Sequence, residues 1–75
     1  MVRTVDLRDM RNPRTVVFIA KFVSKAEPGE TINFLVSDKE TVESVYEWVG
    51  RTGHSLKSVK EEGGFWSIQI TKKGG

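Results

Sequence analysis

The residues of this chain best suited to chemistry lie in one stretch, in which three arginines surround an asparagine–proline step. Proline is favoured at the first position of a helix, because its missing N–H would have no partner there. Asparagine just before it is a good N-cap, since its side-chain oxygen accepts a backbone N–H of the first turn. The pattern therefore predicts that Asn12 caps a helix that begins at Pro13. We place a candidate site at this helix start, formed by Arg8, Arg11, Asn12, Pro13 and Arg14.

Two interpretations of this candidate site remain open at the sequence level. Free N–H groups, the helix dipole and guanidinium charge would share one region, which suits an anion or the acidic surface of a partner protein. Alternatively, Asn12 is only a helix cap and the arginines are solvated surface charges, which usually contribute little. The amino-acid types alone do not decide between binding and a purely structural role.

Other reactive chemistry has little support in the sequence. The chain contains no cysteine, which excludes disulfides, thiolate metal sites, persulfides and cysteine nucleophiles within it. His54 is the single histidine and has no second ligand at metal-site spacing, so we expect it at the surface or in a turn. No Ser/His/Asp or paired-carboxylate arrangement is recognisable. The sequence predicts no catalytic residue, no cofactor and no metal.

Composition describes a small, ordinary globular domain. The 75 residues are 37% hydrophobic and 29% charged, with a formal net charge of +2. Acidic and basic residues are too nearly equal in number for the net charge by itself to indicate a nucleic-acid partner. No apolar run approaches the ~20 residues of a membrane span, and the N-terminus lacks a signal-peptide pattern. We expect a cytoplasmic protein without membrane association.

The spacing of apolar residues predicts six elements in the order β-α-β-α-β-β. Strands are expected at 3–8, 31–37, 55–61 and 65–72, and helices at 13–25 and from Ser37 or Asp38 to Gly53. Gly63 and Gly64 suit a tight hairpin, which would set Val59 opposite Ile68 and Glu61 opposite Trp66.

One face of the predicted sheet is almost wholly polar, so the helices need to cover only the other face. We expect an α+β, two-layer α/β sandwich with a four-stranded mixed sheet. Residues 1–75 would form a single domain with a flexible tail at 72–75. Leu35 and Leu56 break the polar pattern, and we interpret them as edge contacts or an error in register.

The element order and several short motifs resemble the SirA/TusA-like family of small sulfur-carrier proteins. The family pattern Asp-x-Arg-Gly-Leu-x-Cys-Pro-x-Pro is matched by Asp6, Arg8, Met10 and Pro13, and further similarity lies in Pro28-Gly29-Glu30, Thr52-Gly53-His54 and Glu62-Gly63-Gly64. The resemblance covers nearly the whole chain. It implies a β-α-β-α-β-β fold, like that of the C-terminal domain of a bacterial translation initiation factor. It also implies cytoplasmic sulfur relay, in which a cysteine carries a persulfide between partner proteins.

Three departures limit the function that this resemblance carries over. The family's cysteine aligns with Asn12, its motif glycine with Asp9 and its second proline with Thr15. Because asparagine has no nucleophilic sulfur, this chain cannot form a persulfide. We expect a non-catalytic, protein- or anion-binding regulatory module around the start of the first helix. Its expected partner is another protein, with a sulfur-relay protein as the first candidate.

Two alternatives remain. The chain could represent a sulfur carrier whose cysteine has been replaced, naturally or by engineering, or it could be an RNA-binding domain. RNA binding on a sheet usually needs exposed aromatics, but Trp66 is expected to point inward and Phe65 to lie at the hairpin tip. We therefore do not expect nucleic acid as a partner. The terminal Gly74-Gly75 also occurs in ubiquitin-like sulfur carriers, but a two-residue match favours a frayed end.

Overall fold

The computed structural model describes residues 2–74 and contains six elements in the predicted order. They are β1 (Arg3–Asp6), α1 (Arg14–Lys25), β2 (Thr31–Val36), α2 (Lys39–Thr52), β3 (Ser55–Glu61) and β4 (Trp66–Thr71). The strands form one sheet in the order β1-β2-β4-β3. β1 runs parallel to β2, and the other two neighbouring pairs are antiparallel. The predicted α+β class and four-stranded mixed sheet are confirmed.

The hydrophobic core lies between the two helices and one face of the sheet. Along β2, buried and half-buried residues alternate, because successive side chains of a strand point to opposite faces. Helix α1 contributes Ile19 and Val23 to the core, and α2 contributes Val42 and Val45. The buried strand residues of this face are Ile32, Phe34, Val36, Ile68 and Ile70. In the described part of the chain, neither helix is long and apolar enough to cross a membrane.

The hairpin between β3 and β4 has the predicted register, with Val59 paired with Ile68 and Glu61 with Trp66. Gly63 and Gly64 both have positive φ, at 60° and 107°. Two consecutive left-handed residues are what a tight hairpin turn with the right-handed twist of its strands requires. The double glycine therefore sets the strand pairing.

Leu56 is the point at which the predicted strand pattern fails. The register shifts between Leu56 and Ser58, so that Leu56 pairs with Ile70 and Ser58 with Gln69. The extra residue, Lys57, forms a β-bulge. Because of this bulge, the β3 residues that precede Lys57 present their side chains to the face opposite the one that strict alternation predicts. Leu56 consequently packs against the core, and of the two explanations offered for it, the error in register is correct.

Leu35 lies on the uncovered face of the sheet, in a central strand whose register does not shift, so neither an edge contact nor an error in register explains it. It pairs with Asp6 on one side and Ser67 on the other, and it is half-buried. Ser67 donates a hydrogen bond to Asn33 Oδ1 at 2.8 Å on the same face. The uncovered face is therefore polar, with Leu35 as an apolar exception.

Two residues of the predicted flexible tail form hydrogen bonds with the rest of the fold. Lys72 Nζ donates to the carbonyl oxygens of Ser24 at 2.8 Å and Ala26 at 2.9 Å, where the end of α1 leaves acceptors free. The backbone N–H of Lys73 donates to His54 Nδ1 at 3.0 Å. Gly75 lies outside the described residues.

Candidate functional site

Helix α1 begins at Arg14, one residue later than expected, with Pro13 at the N-cap position and no side-chain cap hydrogen bond. The prediction that Asn12 caps this helix was therefore wrong. The Thr15 N–H that an N-cap side chain could have reached already donates to the Arg11 carbonyl at 3.2 Å. A backbone turn thus satisfies the donor that the asparagine was expected to satisfy.

Asn12 lies beside the start of the second helix as well as the first. The N-cap of α2 is Asp38, whose Oδ1 accepts the Thr41 N–H at 2.7 Å. Partial burial acts to raise the pKa of Asp38, but contacts with Thr41, the Asn12 backbone N–H and the charge of Arg11 outweigh it and leave this pKa lowered. Asp38 therefore carries a negative charge between the two helix starts.

An open cleft of about 270 Å³ adjoins Asn12. Its other lining residues all come from α2: Glu40, Glu43, Ser44 and Glu47. The three glutamates follow helical spacing and so occupy one face of α2. No group of three or more potential ligands among His, Cys, Asp and Glu is placed to hold a metal ion within residues 2–74. The cleft is an acidic surface without a metal-binding arrangement.

Arg8 is not among the residues that line this cleft. Its guanidinium makes two hydrogen bonds to the Asp6 carboxylate, at 2.9 and 2.8 Å, and its carbon lies 4.8 Å from the centre of the Phe65 ring. The paired guanidinium lowers the pKa of Asp6 to about 2, and the carboxylate in turn raises the pKa of Arg8. Arg8 is therefore neutralised at the uncovered face of the sheet.

The other predicted site residues remain together. Arg11, Pro13 and Arg14 are exposed at the start of α1, and the half-buried Asn12 lies among them. The acidic side of the site was not predicted, because it depends on where α2 packs. Its sequence signal was the spacing of Glu40, Glu43 and Glu47 on one helix face.

Thr15, the residue aligned with the family's second proline, is fully buried in the first turn of α1. Its hydroxyl has no hydrogen-bond partner in the described part of the chain. A buried hydroxyl without a partner costs free energy relative to an apolar group of the same shape. The structure therefore places a buried hydroxyl without a hydrogen-bond partner at this position.

Comparison with known proteins agrees with this fold. A solved structure of a SirA-like protein from Desulfitobacterium hafniense superposes with a TM-score of 0.80 over 97% of this chain and 99% of that chain, at 18% identity. A "Putative sulfur carrier protein" of Archaeoglobus fulgidus is 34% identical over 68 residues, which is 91% of this chain and 93% of that protein. The sequence model described as "Sulfurtransferase TusA" matches residues 3–72. The chain therefore belongs to the TusA family of the sulfur relay.

Proposed function

We propose that this chain is a non-catalytic member of the TusA family that binds a partner protein around the start of α1. The binding surface, called the Asn12 surface below, consists of Arg11, Asn12, Pro13 and Arg14 together with the acidic cleft formed by Glu40, Glu43 and Glu47. One observation carries the proposal: Asn12, which the sequence resemblance aligns with the family's cysteine, lines an open cleft along the glutamate-bearing face of α2.

The charges of the Asn12 surface favour a protein partner over a free anion. Arg11 and Arg14 offer positive charge, whereas the cleft beside Asn12 is lined by glutamates. An anion entering the cleft would meet these carboxylates, and the start of α2 is already capped by Asp38. A protein surface can pair with both signs at once, which gives orientation and specificity.

The chemistry of Asn12 defines the limit of this function. Sulfur relay needs a thiolate that attacks or accepts sulfur, and this chain contains no cysteine. What the position offers instead is a neutral amide with one acceptor oxygen and two N–H donors. We infer a role in cytoplasmic docking, in which the chain occupies the surface that a sulfur-carrying relative would otherwise use.

Affinity capture from a lysate of the source organism tests this proposal with four immobilised forms of the chain. They are the natural chain, Asn12→Cys, Glu43→Arg in the cleft, and Glu62→Arg at the exposed hairpin as the matched charge control. We expect the natural chain, Asn12→Cys and Glu62→Arg to retain the same partners and Glu43→Arg to lose them. Partners retained by Glu43→Arg, or captured by Asn12→Cys alone, would contradict docking at the Asn12 surface.

The alternative of a replaced cysteine has its own measurement. Asn12→Cys is incubated with a cysteine desulfurase and free cysteine, and the intact mass is recorded with and without reductant. A reductant-sensitive gain of one sulfur atom on this variant would mean that the surroundings of position 12 still accept sulfur. That result would favour a sulfur carrier lacking its cysteine over a dedicated docking module.

RNA binding has weaker support than protein docking. Phe65 lies near Arg8 at the uncovered face, but the guanidinium occupies one side of the ring. Sheet proteins that bind RNA usually stack two or three bases on exposed aromatics. A gel shift with single-stranded RNA tests this alternative, and the absence of a shift at low salt would remove it.

A further inference from the structure

The free edge of β1 is the starting point for a second surface. β1 pairs only with β2, and the Leu7 N–H just after it donates to the Leu35 carbonyl of β2 at 2.9 Å. Because backbone groups of a strand alternate in direction with a period of two, Arg3 and Val5 also face β2. The N–H and C=O groups of Thr4 and Asp6 therefore point away from the sheet.

The two edges of the sheet differ in how they are protected. The other edge strand, β3, carries the bulge at Lys57 and a second exposed lysine, Lys60. Bulges and lysines are the usual features that prevent another strand from pairing with an edge. β1 pairs with β2 over its whole length without a shift in register. Its outer edge is therefore regular enough to accept a further strand.

An apolar groove of about 250 Å³ lies on α1 at the same side of the molecule, lined by Phe18, Lys21, Phe22 and Lys25. Phe22 contacts the core residue Phe34 edge to face, with ring centres 6.2 Å apart. The Arg3 guanidinium of β1 lies 5.9 Å from the centre of the Phe22 ring. The groove and the free edge of β1 are thus adjacent.

The charges around the groove are positive. Lys21 and Lys25 line it, and the Lys21 ammonium lies 5.7 Å from the centre of the Phe18 ring. The carboxylates of Glu30 and Asp6 at this side are each engaged by an arginine: Glu30 lies 3.7 Å from Arg3, and Asp6 accepts two hydrogen bonds from the Arg8 guanidinium. A second copy of this chain would bring the same lysines to the contact, and this like-charge repulsion disfavours self-association there.

From this combination we infer that the β1 edge and the Phe18–Phe22 groove together bind an extended segment of a partner protein, which carries apolar and acidic residues on the same face of the strand, at every second position. The segment adds a fifth strand beside β1 through the outward groups of Thr4 and Asp6. Its apolar side chains enter the groove, and its carboxylates pair with Lys21 and Lys25. Strand addition of this kind takes affinity from backbone hydrogen bonds and specificity from pockets for alternate side chains. The inference concerns a surface other than the Asn12 surface.

Nuclear magnetic resonance with the isotope-labelled chain and a defined probe tests this inference. The probe is a capped peptide of about seven residues in which leucine and glutamate take turns at every second position, with threonine between them, so that both lie on one face of the strand. The control peptide has lysine in place of each glutamate. We expect saturable amide shifts in residues 3–6 and along residues 18–25 with the acidic probe, and none with the control peptide.

Three variants define which contacts are responsible. The double charge reversal Lys21→Glu and Lys25→Glu should weaken binding of the acidic probe by about tenfold or more. Thr4→Pro removes one outward N–H at a position where an edge strand tolerates proline, and it should also weaken binding. Lys39→Glu, a charge reversal at the start of α2, should leave binding unchanged. Far-ultraviolet circular dichroism verifies that each variant is folded.

Several results would overturn the inference. The first is that millimolar acidic probe causes no amide shifts, or only shifts on the uncovered face of the sheet. The others are that the lysine peptide binds as tightly as the acidic probe, or that the folded double variant binds the acidic probe with unchanged affinity. A concentration-dependent dimer that the double variant abolishes would assign this surface to a second copy instead. Because the Asn12 surface is altered in none of these variants, failure here leaves the partner-capture result independent.

Discussion

Asn12 differs from a cysteine in charge as well as in nucleophilicity. A working thiol at this position would have to ionise. The carboxylates that line the same cleft, from Glu40, Glu43 and Glu47, disfavour a further negative charge there. The neutral amide carries no such penalty. A neutral amide is thus compatible with the surrounding carboxylates, whereas a thiolate is disfavoured by them. This difference supports the proposed docking surface over an active thiolate site.

Thr15 provides a prediction about stability at the scale of one residue. Its buried hydroxyl has no hydrogen-bond partner among the described residues, whereas valine has nearly the same shape without the polar atom. We expect Thr15→Val to raise the free energy of unfolding by about 1 kcal/mol. Urea unfolding followed by circular dichroism measures the change.

Thr52→Val is the control for this prediction. The Thr52 hydroxyl donates to the Trp48 carbonyl at 2.9 Å, so its loss should not stabilise the chain. A less stable Thr15→Val variant would mean that the hydroxyl is satisfied in solution.

His54 provides a prediction about pH. Burial, with the charges of Lys73 and Lys72, lowers the pKa of His54 from its usual 6.5. Its Nδ1 accepts the Lys73 N–H, which requires an unprotonated nitrogen. The unfolded chain therefore binds a proton more readily than the native chain, so stability is full above about pH 6.5 and declines as the pH falls below it.

Nuclear magnetic resonance titration should give a His54 pKa below 6.5. Urea unfolding between about pH 5 and pH 8 should show a decline that His54→Asn lacks, since that variant keeps an acceptor without titrating in this range. A His54 pKa at or above 6.5, or the same decline in His54→Asn, would contradict this account.

The candidate site was predictable only in part, and the reason differs by residue. Asn12 and Pro13 were placed near a helix start because proline and asparagine have strong local preferences there. The pairing of Arg8 with Asp6 arises in the turn after β1, where Asp6 Oδ1 accepts the Arg8 N–H at 3.0 Å, an aspartate-to-backbone contact that the local sequence favours. The glutamates beside Asn12 reach it through the packing of α2, which no local pattern contains.

At the scale of elements, local chemistry predicted turns better than it predicted strand phase. Pro28 and Gly29 form a turn, which the fixed φ of proline and the conformational freedom of glycine favour locally. In this turn the Glu30 N–H donates to the Glu27 carbonyl at 2.9 Å and Gly29 has φ of 86°. Gly53 ends α2 with φ of 85°, as expected. The bulge at Lys57 has no comparable signal, because an inserted residue changes which side chains share a face without requiring a special amino acid.

The start of α2 gives a prediction at this scale. The Asp38 carboxylate caps the helix by accepting the Thr41 N–H, and its pKa is lowered in the native chain. Its contribution to the free energy of unfolding is therefore full above its usual pKa of about 4. That contribution declines as the pH falls through the lower native pKa. We expect Asp38→Ala to lower the free energy of unfolding by about 1 kcal/mol at neutral pH.

Asp38→Asn is the matched control for the cap. Asparagine can accept the same hydrogen bond without a charge, so this variant should lose less than Asp38→Ala and should lack the acid-dependent part. Urea unfolding at neutral and acidic pH separates the two contributions. An alanine variant as stable as the natural chain would mean that the cap contributes nothing.

At the scale of the whole molecule, stability depends on one thin core. The chain has 75 residues and no cysteine, so neither a disulfide nor a thiolate-bound metal supplements the apolar packing. One face of the sheet remains uncovered, and all core residues lie between the other face and the two helices. A domain of this length has about 4 to 11 kcal/mol of stability at the usual value per residue.

Phe34 tests how far this core tolerates a loss. It is fully buried in β2, pairs with Val5 and Ile68 on the two sides, and contacts the Phe22 ring. Replacement of a buried phenylalanine by alanine costs about 3 to 5 kcal/mol, which is a large part of the total. We expect Phe34→Ala to be largely unfolded at physiological temperature and Phe34→Leu to remain folded with a lower urea midpoint.

Val17 supplies the control for this truncation, because it lies exposed on α1 and Val17→Ala should change stability by less than about 0.5 kcal/mol. Thermal and urea unfolding followed by circular dichroism measure all three variants. If Phe34→Ala unfolded at the natural midpoint, the apolar layer between helices and sheet could not be the main source of stability.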